Sequence, residues 1–220
     1  MNPDRTDDYS RYLAGLLAGD AATCRAVAQA WLDAAVPLPR LYEDLIQRSL
    51  YDVGLLWERG RISVADEHLA SAISEGVMAL AYPRLFALPR VNHSALITCA
   101  ANEQHQIGAK MVADLFEMRG WRGFFLGANA PYRDVLDLIA ARRPEVACLS
   151  LTVFFNLDKF IELAETIRAA YPELPILVGG QALRVGGRER AERIADTRYL
   201  GSLAELDAWI AGYEATAVAP

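Results

Sequence analysis

A chain of 220 residues has room for one large domain or two small ones, and its 53% hydrophobic content excludes a disordered polypeptide. The net charge of −6 comes without a basic arm or stripe, which argues against direct binding to nucleic acid. No apolar run approaches the ~20 residues needed to span a bilayer, and the acidic start MNPDRTDDYS is unlike a signal peptide. A soluble cytoplasmic protein is expected, with Cys24, Cys99 and Cys148 as reduced, structural thiols.

The first 88 residues read as helices only. Tyr9 to Ala18 and Ala21 to Ala34 are short and rich in alanine and leucine, separated by Gly19-Asp20. Leu38 to Trp57 carries Tyr42, Ile46, Leu50, Val53 and Trp57, whose spacings of three and four draw one apolar stripe. Gly60 ends it. Ser63 then reads as an N-cap with Asp66 at the capping-box position, opening a fourth helix that runs to about Phe86. Four helices joined by short loops predict an antiparallel bundle.

A linker, Leu88 to His93, precedes a change of pattern. Apolar runs at Ser94–Ala101, Gly123–Leu126, Val146–Leu151, Ile176–Val178 and Thr197–Leu200 read as strands. Helical stretches follow at Gln106–Arg119, Tyr132–Arg142, Leu157–Ala170, about Arg188–Ala195, and Leu203–Tyr213. The expectation is an α/β protein: a four-helix cap over residues 1–88, then a Rossmann-like (flavodoxin-like) parallel-sheet domain over 94–220. In open sheets of this kind ligands sit beyond the carboxyl ends of the strands.

At those ends lie Glu103, His105 and Gly108 after the first strand, and Gly127, Ala128 and Asn129 after the second. Ser150, Thr152 and Asn156 follow the third strand, and Gly179-Gly180 the fourth. An imidazole two residues from a carboxylate suits metal ligation, although a single loop histidine is more often a surface residue. Glycines admit a ligand close to the backbone, and hydroxyls can donate to ring nitrogens or ribose.

The order Glu103-x-His105-x-x-Gly108, Ser150-x-Thr152, Gly179-Gly180 resembles the cobalamin-binding domain family, whose signature is Asp-x-His-x-x-Gly, Ser-x-Leu or Ser-x-Thr, then Gly-Gly. The resemblance covers the whole second half and implies His105 as the lower cobalt ligand, with the cofactor's own base displaced. It further implies Glu103 as the acceptor that orients the ring, and Gly108, Ser150, Thr152, Gly179 and Gly180 as lining for the nucleotide tail. Glu103 stands where the family has Asp, and Asn156 falls near where methionine synthase has a serine completing a proton relay.

In the helical half, Trp57-x9-Glu67-His68 resembles adenosylcobalamin photoreceptors of the CarH and LitR type. That resemblance implies that Trp57, Glu67 and His68 cap the upper face, the indole beside the adenosyl group and the acid on its ribose. Two features depart from the type. No DNA-binding helix-turn-helix is evident, and Glu58 stands where a histidine follows the tryptophan. The resemblance thus implies a stand-alone light sensor rather than an enzyme, forming a homodimer or higher homo-oligomer and signalling through a protein partner. A bilin such as biliverdin, as in the similar photocobilins, is the second chromophore it allows. The rivals are a corrinoid shuttle protein of a methyltransferase system and a corrinoid-binding antirepressor.

Overall fold

The computed structural model describes residues 3–217. The chain divides into two compact units, Met1–Arg84 and Leu85–Pro220.

The first unit is helical. Helix α1 (Pro3–Ala18) starts earlier than its apolar pattern suggests, because its first turns hold Asp8, which accepts from Trp31 Nε1 at 2.9 Å. Helix α2 (Ala21–Asp33) is capped by Asp20, whose carboxylate accepts from Thr23 N at 3.0 Å. Helix α3 spans 38–58 as one rod in three segments, Leu38–Arg40, a π-helical stretch Leu41–Gln47, and Arg48–Glu58. Its buried side is Leu38, Leu41, Tyr42, Leu45, Ile46 and Val53. Leu50 is only half-buried, and Trp57 leaves the stripe altogether.

Helix α4 spans 64–85, as Val64–Met78, a 3-10 turn Ala79–Ala81, and Tyr82–Leu85. The capping box forms at its start. Ser63 Oγ accepts from Asp66 N at 3.2 Å, and the Asp66 carboxylate accepts from Ser63 N at 2.8 Å. Shorter Asp thus serves where Glu is usual.

Residues 85–93 go with the second unit for a visible reason. Val91 N donates to Gly120 O and Arg122 N to His93 O, both at 2.9 Å, while Arg90 reaches Glu117 and the Trp121 carbonyl.

The second unit is a five-stranded parallel sheet. In chain order it has β1 (Ser94–Cys99), α5 (Ile107–Met118), β2 (Arg122–Gly127), α6 (Tyr132–Arg142), β3 (Val146–Ser150), α7 (Leu157–Ala170), β4 (Ile176–Gly179), α8 (Arg188–Glu192), β5 (Thr197–Tyr199) and α9 (Leu203–Ala217). The strand order is β2-β1-β3-β4-β5, so the sheet is the flavodoxin-like, doubly wound kind. Strands β1 and β3 read as unbroken apolar runs because helices cover both faces, and their residues are almost all buried. A π-helical turn, Leu183–Gly187, precedes α8, and Gly186 at φ 145° separates the two. Among the described residues no helix is long and apolar enough to cross a membrane.

The direction of winding reverses between β1 and β3, which pair from Ala95 with Val146 to Cys99 with Ser150. The crevice beyond their carboxyl ends is the switch point at which such sheets take ligands.

Candidate functional site

The loop after β1 turns sharply. Asn102 adopts φ 64°, a left-handed conformation that asparagine tolerates, and Glu103 N donates to Ala100 O at 3.1 Å. This turn sends the Glu103 side chain back over the sheet, where it is 0% exposed.

Four donors converge on that buried carboxylate. Oε1 accepts from His105 N at 3.0 Å and from His105 Nδ1 at 2.6 Å. Oε2 accepts from Thr152 N at 3.0 Å and Val153 N at 2.8 Å, across the switch point. Burial pushes the Glu103 carboxyl up, but the hydrogen bonds from the His105 ring and from the backbone of Val153, His105 and Thr152 outweigh it. Its pKa therefore lies below the ordinary 4.5, and the group is a fixed negative charge at neutral pH.

That charge sets the histidine's chemistry. A carboxylate on Nδ1 holds the proton there and leaves Nε2 as the lone-pair nitrogen, with raised basicity. The His105 side chain is 49% exposed, so the ring projects from the loop. Among the described residues no group of three His, Cys, Asp or Glu could hold a bare metal ion. One oriented imidazole fits a metal that arrives already chelated in its equatorial plane. The donor set therefore suits a macrocyclic metal cofactor.

Neighbouring residues immobilise the loop. Asn102 N donates to Asn129 Oδ1 at 2.9 Å, and Gln106 Oε1 accepts from Ala128 N at 3.2 Å, tying it to the end of β2. Asn156 Nδ2 donates to Asn102 O at 3.2 Å, tying it to the segment after β3. Asn156 is thus an anchor for this loop, and its amide bonds to the backbone.

The remaining sequence-derived residues fall into place unevenly. A Cβ on Gly108 would lie 4.0 Å from Ser150 Oγ, so glycine leaves a gap facing that hydroxyl. Thr152 donates its main-chain N–H to Glu103. Gly179 lies against the Leu200 carbonyl, which an added Cβ would meet at 3.2 Å. Gly180 has a packing reason of its own: at φ +108° its Cβ would fall 2.2 Å from Leu151 O.

In the helical unit Trp57 closes α3 and Glu67 and His68 open α4, on either side of the turn at residues 59–63. Trp57 is 48% exposed, so its indole is not spent on the core. Glu67 Oε1 accepts from Ser71 Oγ at 3.0 Å, and Oε2 lies 3.6 Å from Nε2 of the largely exposed His68.

Residue pattern alone missed Gln106 and Asn102, which with Asn129 hold the histidine loop, and the segment Val153–Phe155 beyond β3, whose Val153 N–H reaches Glu103. The adjacent aromatics Phe154-Phe155, directly after a buried strand and before a polar helix start, were the available signal for the latter.

A family model described as a B12 binding domain matches residues 93–205, more than half of the chain. The chain belongs to the B12-binding domain family. A second B12 binding domain model matches the helical half at residues 9–82. The chain is 32% identical over 153 residues to the HTH-type transcriptional repressor CarH of Myxococcus xanthus, covering 69% of this chain and 50% of the repressor. It is 31% identical over 141 residues to the HTH-type transcriptional repressor CarA of the same organism, covering 64% and 47%. It spans about half the length of these two relatives. The monomethylamine corrinoid protein of Methanosarcina barkeri has the same fold, with a TM-score of 0.79 at 16% identity over 93% of this chain and 97% of that one. In this B12-binding chain the residues at the sheet's switch point fit a corrinoid cofactor.

Proposed function

We propose that the protein is a B12-dependent light sensor in which His105 would ligate the cobalt of adenosylcobalamin. The observation that carries the reading is the Glu103–His105 pair, a histidine whose Nδ1 is taken at 2.6 Å by a buried, permanently charged carboxylate. Glu103 holds the ring's orientation and tautomer. Gly108, Ser150, Thr152, Gly179 and Gly180 line the path of the nucleotide tail, Gly108 by leaving space and Ser150 by offering a hydroxyl.

In the helical unit Trp57 presents an indole for the flat adenosyl group, Glu67 accepts from ribose hydroxyls, and His68 stands beside it. When bound, the adenosyl form of the cofactor supplies a cobalt–carbon bond that light can break. Trp57 and Glu67 would then lose their contacts with the upper ligand, shifting the chain's self-association or its affinity for a protein partner. The likeness to a monomethylamine corrinoid protein raises a second reading, a methyl-carrying shuttle, for which an indole over the upper face would be an obstacle.

The deciding measurement is the absorption spectrum of the purified chain given adenosylcobalamin, before and after green light. A light-dependent change is expected; an unchanged spectrum would sink the sensor reading, and a far-red band in protein from cells would report a bilin. His105→Ala is expected to abolish the histidine-ligated spectrum. Retention of that spectrum would remove the ligand assignment.

A further inference from the structure

The segment Val153–Asn156, beyond β3, holds two aromatic rings that the fold of the sheet unit uses unequally. Val153 N donates to Glu103 Oε2 at 2.8 Å, and Asn156 Nδ2 donates to Asn102 O at 3.2 Å. Both ends of the segment are therefore fastened to the loop that bears His105. Between them Phe154–Asn156 form a 3-10 turn closed by Asn156 N to Val153 O at 3.0 Å. The turn is short and doubly anchored, so the position of its crest relative to His105 is fixed.

Phe154 is accounted for. Its ring lies over Gly186, where an added Cβ would meet Cε2 at 3.5 Å, and this braces the turn against the loop after β4. Phe155 is not. At the crest it is 93% exposed, the most exposed of the large apolar side chains among the described residues. A phenyl ring left almost wholly in water buries little apolar surface in the fold, and the segment that carries it is tied to the histidine loop. Val153, 37% exposed at the start of the same segment, adds apolar surface.

We propose that Phe155 is a ligand-contact residue of this B12 site, an apolar wall against the macrocycle carried by His105 that excludes water from the ligand bond. The occupant follows from the attachment. The segment is tied to the histidine loop through Glu103 and Asn102, so whatever His105 holds is what Phe155 adjoins. A corrinoid also offers a large, flat, methyl-bearing surface to an aromatic side chain. The inference rests on the B12 reading of His105 and assigns a residue that the family's motif does not include.

The test titrates hydroxocobalamin into the full chain, following the absorption change, for wild type, Phe155→Ala and Phe155→Leu. Phe155 is exposed, so the apoproteins should melt together. Loss of a phenyl contact predicts a Kd raised roughly ten- to hundredfold in Phe155→Ala, with faster release, and recovery of most of the affinity in Phe155→Leu. Equal affinity in Phe155→Ala and wild type, with the histidine-ligated spectrum intact in both, overturns this inference and leaves the B12 reading standing. Failure of the wild type to bind hydroxocobalamin overturns both. Unchanged affinity with an altered apoprotein mass by light scattering would assign Phe155 to a second copy of the chain, and overturn the proposal.

Discussion

In the sheet unit the candidate ligand residue is oriented before anything binds. Glu103 is out of water, its charge is fixed by donors from two loops, and those loops are fastened to each other. In the helical unit Trp57 and His68 stand in solvent, and Glu67 keeps one hydroxyl and a neighbouring imidazole. One set of residues is part of the fold's own stability; the other is almost detachable from it. Preorganisation of this kind belongs with a permanent ligand, because it removes the ordering cost at binding. Loosely held contact residues suit a face whose occupant changes.

Variants can break that contrast. The largest loss of stability is expected from Gly180→Ala, which forces a Cβ into the Leu151 carbonyl at a left-handed φ, at a cost of about 4 kcal/mol. Denaturant unfolding monitored on the sheet unit measures it, and a near-neutral result would mean that Gly180 is a ligand position only.

Glu103→Gln comes next, at about 2 kcal/mol, since an amide cannot satisfy all of the donors aimed at the carboxylate. Cobalamin affinity should fall roughly 10- to 100-fold as the histidine loses its charged acceptor. The wild-type acid profile should carry the same signature. The folded pKa of Glu103 is depressed, so its contribution is fully present above the ordinary value of 4.5 and is lost as pH falls through the folded value. Stability of Glu103→Gln should lack that slope, and parallel pH profiles would contradict the charge assignment.

Ser63→Ala removes one half of a capping box on α4 and should cost about 1 kcal/mol by thermal unfolding of the helical unit. Trp57→Ala, on an exposed indole, should change stability by less than about 0.5 kcal/mol. It should nonetheless weaken adenosylcobalamin binding more than methylcobalamin binding; equal effects would favour the methyl shuttle. A large stability loss in Trp57→Ala would erase the contrast between the units.

Much of this was legible in residue order. Buried parallel strands announce themselves as unbroken apolar runs, and β1, β3 and β4 fall within two residues of where those runs begin and end. Glu103 and His105 were readable because a carboxylate and an imidazole two residues apart have few reasons to follow a buried strand together. Main-chain chemistry was not readable. Thr152 looked like a hydroxyl donor, but its backbone N–H is what Glu103 receives. At Gly180 residue order gave no sign that the Leu151 carbonyl stands where a side chain would be. The π-helical stretch in α3 left no trace either, since residues 41–47 keep an apolar spacing that an ordinary helix would share. Phe155 was legible only as one of two adjacent aromatics; its place in solvent follows from the anchored turn.

The buried cysteines give the same contrast a clock. Burial holds Cys24 up to about 11 and Cys99 up to about 12, with the Glu103 charge adding to the latter, and raises the buried Cys148 as well. None is a useful thiolate near neutral pH while its surroundings are closed. Cys24 lies in the helical unit and Cys99 and Cys148 in the sheet unit, so a thiol-labelling reagent reads the opening of each unit through its own residue. The lag between labelling at Cys24 and at Cys148 times the opening of one unit against the other, and Cys99, six residues before His105, reports how far cofactor binding slows the second.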